Sequence, residues 1–566
     1  MDMVSQLSSH GNRFTGRIPP SLGNLSSLHT LAANYNNLEG YIPLELGQLS
    51  NLEILSFSGN NLSGMVPPLL YNISSINAFI LSANKLSGNL PPDIGLTLPN
   101  LQLFGLGDNN FSGPVPPSIV NASGLVNFDI SVNNFIWPEP INFGRLHDLE
   151  WLGLGNNQLG SNKPNDLGFL NSVTNCTNLR ILTLYQNGFG GVLPNSITNL
   201  SSKLTTLFLG ENHISGTIPR DIGNLVGLRS LTFTQNMLTG IIPESVGKLS
   251  RAVQLGMSEN NISGEIPPSL GNITGLSTLI LRRNMIEGSI PTALGNCTRL
   301  QILDLGYNHL TGPIPTQLIG LSSLTDGFRL GPNYLSGPLP PEVGNLKNLR
   351  QMDISRNKLF GEIPSTLGDC QLLEFLSIQN NLFEGTIPPS FKQLKGIQEL
   401  DLSSNNLSGQ IPGFLGELTL LHSLNLSHNM FEGEVPTEGV FSKIGASSIV
   451  GNNRLCGGIP ALQLPACPKM VPNKEKRPLL HIIVPLVVVL SVVLLLACLS
   501  LISTGIRGTI GYLAPGLSFE ILRECCYHHN TPGDEDLLGY DQNPLSNIES
   551  LMNAYGITWQ YNMLMV

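Results

Sequence analysis

The sequence predicts an α/β fold, a right-handed solenoid with a concave parallel β-sheet, followed by a single transmembrane helix. Three observations carry the prediction. An asparagine recurs in fixed register along most of the chain. The residues around it alternate apolar and polar in the same way each time. A 24-residue run with no Lys, Arg, Asp or Glu, Leu479 to Ile502, comes after the last repeat.

The repeat comes first. Its unit reads L-x-L-x-x-N-x-L-x-G-x-I-P-x-x-L-G-N-L-x-x-L. The anchoring residue falls at Asn12, Asn36, Asn60, Asn84, Asn109, Asn133, Asn157, Asn187, Asn212, Asn236, Asn260, Asn284, Asn308, Asn333, Asn357, Asn381, Asn405, Asn429 and Asn453. Steps are 24 or 25 residues, except for one of 30 between Asn157 and Asn187. Such self-similarity marks a stacked-repeat architecture. The "LxL" alternation makes a short strand with two residues facing the core. The Asn sits where the chain leaves the strand. There its amide can pair with backbone groups that stacking leaves open, forming a ladder. The Gly three residues before Pro permits a bend and Pro stiffens it. "LGNLxxL" closes the far side as a 3₁₀ or short helical turn. One unit cannot bury its own leucines, so stacked units share a core.

Composition agrees. The chain holds 60 Gly and 40 Pro, and 12% of its residues are charged, against about 25% in ordinary soluble domains. The net charge is −10, and no basic tract precedes the apolar run, which argues against nucleic-acid binding. Eight Cys show no metal-ligand spacing. Neither a metal nor a cofactor is expected. The start, "MDMVSQLSSHGNRFTG", has no apolar core and no basic leader, so it reads as the inside of a repeat rather than a signal peptide.

The spacing "SGxIPxxLGNL" resembles the extracellular leucine-rich repeat of plants. Residues 11 to about 470 resemble the ectodomain of the plant leucine-rich-repeat receptor-like serine/threonine kinase family. The subgroup that holds the receptors for bacterial flagellin and elongation factor is the nearest in look. "SNKPNDLGFLNSVTNCTNLRIL" (161–182), which makes the long step, also resembles that subgroup. It reads first as a looped-out turn on the far side and second as a ligand contact. The resemblance places the repeats outside the cell. Twelve N-x-S/T sequons agree with that. They start at Asn24, Asn61, Asn72, Asn110, Asn121, Asn175, Asn199, Asn261, Asn272, Asn296, Asn406 and Asn425. The repeat itself supplies "NLS", so some arise from structure alone.

The chain divides into five segments: the solenoid (1–448), a Cys cap (449–470), a juxtamembrane linker (471–478), the membrane helix (479–502) and a tail (503–566). A terminal cap is needed to keep water from the last core layer. A Cys456–Cys467 disulfide would close it, and the resemblance implies the same pairing. Cys176, Cys297 and Cys370 replace the Leu of the "GNL" step and read as buried thiols. The family's paired-Cys cap is missing at the N-terminal end, so the first core layer is expected to be open. The run 479–502 is long enough to span a bilayer, which takes about 20 residues. Lys469, Lys474, Lys476 and Arg477 precede it and only Arg507 stands close behind it. The positive-inside rule alone would place the repeats in the cytoplasm; the sequons, the cap and the family resemblance place them outside.

The tail opens with "GTIGYLAP" (508–515), which resembles the end of a kinase activation segment, with Gly516 where the family has Glu. The Gly-rich loop, strand Lys, H-R-D loop and D-F-G site needed for phosphoryl transfer are missing around it. The chain is therefore expected to be no enzyme, a truncated family member without the kinase domain. His528–His529 and Cys525–Cys526 are not expected to bind metal.

Binding is expected on the concave sheet. At four, two and one residues before the Asn stand Tyr185, Phe208, Glu211, Glu259, Arg282, Arg283, Tyr307, Arg329 and Arg356; Trp151 stands six before. Stacking would align them into one stripe of aromatics and arginines, the side chains that most often dominate interfaces. Asp304, Asp353 and Asp401 belong to the common strand motif and read as structural. The expected function is a membrane-anchored receptor-like protein. It binds a peptide or protein ligand, or a partner receptor, and signals only through a partner such as a co-receptor kinase. The alternatives are an inhibitor-type repeat module and a non-functional truncated product.

Overall fold

In the repeat around Asn260, Leu255 and Met257 alternate with Gln254, Gly256 and Ser258 and turn inward. The strand Gln254–Gly256 results. After Asn260 the chain enters a second short strand, Asn261–Glu265. It bends at Gly264, whose φ is +71°, and a Cβ there would sit 2.7 Å from Ile241 Cγ2. Pro267 is extended and Pro268 opens the 3₁₀ helix Pro268–Asn272, a position that needs no N–H donor. Leu255, Met257, Ile262, Ile266, Leu270, Ile273 and Leu276 are all buried. They belong to one hydrophobic core that continues through the units before and after.

The computed structural model describes residues 4–468, which hold the repeats and their cap, and the single position Val493. The expected linker (471–478), the rest of the span (479–502) and the tail with its 508–515 motif lie outside the described residues. Among the described residues no helix is long and apolar enough to cross a membrane.

First strands of successive units pair in parallel from Gln6–Ser8 to Ser423–Asn425, building one eighteen-stranded sheet. Second strands form a lateral row in three runs, Thr15–Gly16 to Asn134–Ile136, Gly190–Val192 to Met285–Glu287, and Thr311–Gly312 to Arg454–Gly457. The remaining side is made mostly of stacked 3₁₀ helices.

The asparagines form the expected ladder. Asn260 accepts the Leu238 N–H at 3.0 Å and donates to Phe233 O, Met257 O and Ser258 O at 2.9, 3.3 and 3.0 Å. Asn284 repeats this with Ile262 N–H, Met257 O, Leu281 O and Arg282 O. Each side chain thus stitches its own turn to the preceding unit. One expected rung is corrected. The last ladder residue is Asn452, not Asn453. Asn452 accepts from Phe431 N–H and donates to Leu426 O and Ile449 O. The cap shortens the final step, and Gly451 takes the positive φ (86°) of the residue before a ladder Asn.

The 161–182 segment does not loop out freely. Asp166 Oδ2 accepts the N–H groups of Ser161, Lys163 and Gly190 at 2.9, 3.0 and 3.1 Å. Leu167, Phe169, Leu170 and Val173 are buried. Phe169 packs 4.9 Å from Trp137 and 5.8 Å from Phe189, ring centre to ring centre. Aromatic packing and one carboxylate therefore hold the extra residues.

After the last repeat Cys456 and Cys467 are joined by a disulfide, and Val440, Phe441, Ile449, Leu455 and Leu462 of the same segment are buried. Cys176, Cys297 and Cys370 are buried thiols. Each donates to a backbone carbonyl, of Phe143, Leu270 and Val343. Burial pushes Cys176 up to about 12 and Cys297 up to about 11; for Cys370 burial, aided by Asp369, gives about 12.

Candidate functional site

Strand residues six and four before the ladder Asn face away from the core. The residues two and one before it stand at the strand's end. The last of these adopts left-handed backbone almost throughout, with φ of 50–57° at the non-glycine residues from Tyr35 to His428. That kink turns the chain out of the sheet and presents the side chain at its edge.

Arg282, Arg283 and Tyr307 meet there. The Arg282 guanidinium carbon lies 4.9 Å from the Tyr307 ring centre and that of Arg283 lies 5.1 Å from it. Both contacts are within cation–π range. Arg283 also reaches Glu259 at 3.8 Å. Next to this clasp is an open depression of about 350 Å³, whose walls include Arg282, Asp304, Tyr307, Arg329, Asp353 and Glu374. Asp304, Arg329 and Asp353 stand opposite one another on three adjacent strands, acid beside base beside acid. Arg329 also hydrogen-bonds Gln351 Oε1. Burial pushes the Asp304 carboxyl up. The Gly306 amide, Arg282 and Arg329 pull it down and Asp353 pushes it up, leaving it above its ordinary value.

Asp304, Asp353 and Asp401 each accept the amide two residues on, at 3.1, 3.0 and 2.9 Å. The structural role read for them is therefore present. Sequence reasoning missed that Asp304 and Asp353 also wall the depression. The signal was their position in the same slot as Arg329, one repeat to either side.

The remaining expected residues do not join this group. Trp151, Tyr185 and Phe208 are half-buried on or beside the adjacent strands Trp151–Gly153, Ile181–Thr183 and Thr206–Phe208. Trp151 and Tyr185 lie over glycines. A Cβ on Gly153 would be 2.9 Å from the Trp151 indole nitrogen, and one on Gly155 would collide with the Tyr185 ring. Glu211 is exposed and lines a second open depression of about 330 Å³ with Gln186, His213 and Gln235. Arg356 is exposed and is not in the wall of the first depression. The expected single stripe is thus two patches. On the two intervening strands, Ser230–Thr232 and Gln254–Gly256, the slots hold small residues such as Thr232, Gly256 and Ser258, while Glu259 at the sheet's edge still pairs with Arg283.

Eleven of the twelve sequon asparagines are exposed, and all eleven lie off the long sheet. Asn425 is the exception. It is half-buried in the strand Ser423–Asn425, and its amide donates to Asp401 Oδ2 at 3.3 Å.

Two family profiles, described as "Leucine rich repeat" and "Leucine Rich Repeat", match the chain. The first covers residues 373–431. The second covers 51–73, 178–200, 203–225, 253–273, 275–297, 299–321 and 348–370. The crystal structure of the Arabidopsis receptor kinase HAESA, in complex with the peptide hormone IDA and the co-receptor SERK1, aligns with a TM-score of 0.68. The two are 30% identical, over 80% of this chain and 85% of that one. The chain belongs to the plant leucine-rich-repeat receptor kinase family. Another member of known structure, the plant peptide hormone receptor RGFR1 in complex with RGF2, aligns at TM-score 0.60 and 29% identity, over 81% and 88% of the two chains. Among curated relatives, the LRR receptor-like serine/threonine-protein kinase EFR of Arabidopsis thaliana is 56% identical over 88 residues. The receptor kinase-like protein Xa21 of Oryza sativa subsp. japonica is 49% identical over 89 residues. Those stretches span 16% of this receptor-family chain and only 8% and 9% of the two relatives' own lengths.

Proposed function

We propose that this chain is a receptor-type binder whose long sheet takes an extended peptide or protein ligand. The carrying observation is the Arg282–Tyr307–Arg283 clasp beside the depression walled by Asp304, Arg329 and Asp353. Two guanidinium groups fixed on one ring offer planar donors to a carboxylate, and the exposed ring adds apolar area. Trp151, Tyr185, Phe208 and Glu211 form a second, upstream contact patch, and Arg356 borders the first. The exposed sequon positions leave the sheet clear for a ligand. HAESA and RGFR1, similar in fold and sequence, were each solved with a peptide hormone. On this reading residues 479–502 anchor the chain in a membrane with the repeats outside, and a partner kinase carries the signal.

The test uses the full chain and a panel of synthetic peptides with free or amidated C-termini. Arg282→Glu with Arg283→Glu is expected to weaken the best binder a hundredfold or more, and Tyr307→Ala about tenfold. A ligand whose affinity ignores both changes would sink the reading.

A further inference from the structure

We propose that the upstream patch around Glu211 is a saccharide site that takes a neutral oligosaccharide of hexopyranose rings. The proposal rests on the reading of that patch as ligand-facing and is separate from the clasp at Tyr307.

The aromatic half of the patch lies on the sheet. Trp151, Tyr185 and Phe208 belong to three successive units and are half-buried. Two of the rings close on glycines. A Cβ on Gly155 would stand 2.3 Å from Tyr185 Cε1, and one on Gly153 2.9 Å from Trp151 Nε1. Part of each ring is thus taken up by the sheet and the rest stays open. An open aromatic face is electron-rich and attracts the polarised C–H bonds on the face of a sugar ring.

The polar half adjoins it. The depression of about 330 Å³ is walled by Gln186, Glu211, His213 and Gln235 together with ladder asparagines. Gln186 follows Tyr185 directly, so the two halves share a unit. The four side chains are exposed and hydrogen-bond no other described residue. Gln186, Glu211 and Gln235 stand on left-handed backbone with φ of 53, 56 and 55°. Their amides are pinned to Gly210 O, Thr234 O and Ser258 O at 2.9, 2.7 and 2.8 Å. They therefore repeat at one strand spacing, ~4.8 Å, a step that successive rings of a sugar chain can follow.

The lining selects the ligand. A sugar hydroxyl both donates and accepts, a primary amide does both through neighbouring atoms, and a carboxylate accepts from hydroxyl donors. No Lys or Arg is in the wall of the depression. Arg180, in the unit beside Trp151, is paired with Glu150 at 3.3 Å. Glu211 belongs to no ion pair among the described residues, so it repels uronic acids and sulfated or phosphorylated sugars. A peptide side chain gains little here, because the polar wall offers it no apolar pocket.

The probes are neutral hexasaccharides of glucose, mannose and galactose, with the hexamer of galacturonic acid beside them. Each is titrated into the purified full chain and followed by calorimetry and saturation-transfer NMR. We expect at least one neutral hexasaccharide to bind with a Kd below about 1 mM, roughly tenfold or more tighter than the uronate. Gln186→Ala with Gln235→Ala, both at the exposed surface, should weaken it about tenfold or more, and so should Trp151→Ala. Glu211→Gln should shrink the preference for neutral sugar over uronate about fivefold. The peptide reading is judged at Arg282 and Arg283 and the sugar site at Gln186, Gln235 and Trp151, so failure of one is distinguishable from failure of the other. Absence of binding by every neutral hexasaccharide would overturn the proposal. So would uronate binding as tight as that of the neutral sugar, or sugar binding that ignores both the glutamine pair and Trp151→Ala. A peptide whose affinity falls with the glutamine pair while no sugar binds would assign the patch to the peptide and overturn it as well.

Discussion

Leu7 and Leu424 occupy the same slot of the repeat, five residues before a ladder Asn, yet Leu7 is 38% exposed and Leu424 3%. One rung in from Leu7, Leu31 is already down to 4%. Around Leu7 the strand Gln6–Ser8 is exposed throughout, with Val4 and Phe14 open beside it. Around Leu424 the cap lays Phe441, Leu455 and the Cys456–Cys467 bridge over the last layer. The two leucines have the same chemistry and the same local backbone. What differs is the neighbour. Burial in this fold is a property of pairs of units, and a unit at an exposed face keeps its geometry while losing part of its hydrophobic stabilisation.

That contrast can be broken or sharpened at graded strength. The largest effect is expected from Asn260→Leu, which leaves the Leu238 N–H and Phe233 carbonyl without their amide partner. At about 1–3 kcal/mol per group the loss is about 2–6 kcal/mol. Asn12→Leu should cost almost nothing, because among the described residues exposed Asn12 bonds only Ser9 and His10. Hydrogen exchange at residues 230–285, with the urea midpoint, would show it; equal effects at Asn12 and Asn260 would refute the pairwise account. Leu255→Ala should cost about 2–5 kcal/mol, against less than about 1 kcal/mol for Leu7→Ala. Replacing Cys456 and Cys467 together by Ser opens a loop of sequence separation 11 and should cost about 2–3 kcal/mol. Exchange should then rise in residues 423–467 and stay unchanged before residue 300. The smallest effect concerns the insertion. Partial burial pushes the Asp166 carboxyl up, but the Ser161, Lys163 and Gly190 amides outweigh it and hold the group below its ordinary range. Its stabilisation is therefore present above the ordinary carboxylate pKa and is lost as pH falls through the depressed folded value. Asp166→Ala should cost about 1–2 kcal/mol at neutral pH, given the exposure of the site, and should flatten that acid-side dependence. A pH-independent difference between the two proteins would count against the knot.

The sequence made the ladder legible because every Asn has to solve the same hydrogen-bonding problem. It misplaced the last rung because "GNNRL" offers two asparagines. A fixed period cannot choose between them, whereas the αL slot filled by Gly451 can. The clasp of Tyr307 by Arg282 and Arg283 was foreshadowed by residue type and slot. The break between the two patches was also written in the sequence, in the small residues Thr232, Gly256 and Ser258 of the intervening slots; what was not is the folding of Trp151 and Tyr185 over Gly153 and Gly155. The long step at 157–187 announced an insertion, but its grip by Asp166 needs the Gly190 amide, 24 residues away.

The left-handed residue before almost every ladder Asn has a consequence for how such a surface changes over time. Glu211, Glu259, Arg283 and Arg356 hold φ of 50–56°, a conformation that costs an L-residue about 1–2 kcal/mol. Their backbone amides are pinned to the next unit, Glu211 to Thr234 O, Glu259 to Arg282 O, Arg283 to Gly306 O and Arg356 to Gln379 O, at 2.7–2.9 Å. The pinned amide and the ladder Asn beside it hold the kink whatever side chain is mounted on it. A change of side chain there alters what the edge of the sheet recognises and leaves the strand register untouched. The bound state also inherits a backbone already ordered, so a ligand contact at this slot escapes the entropy loss a flexible loop would suffer. The architecture thereby uncouples novelty in recognition from risk to folding, one unit at a time.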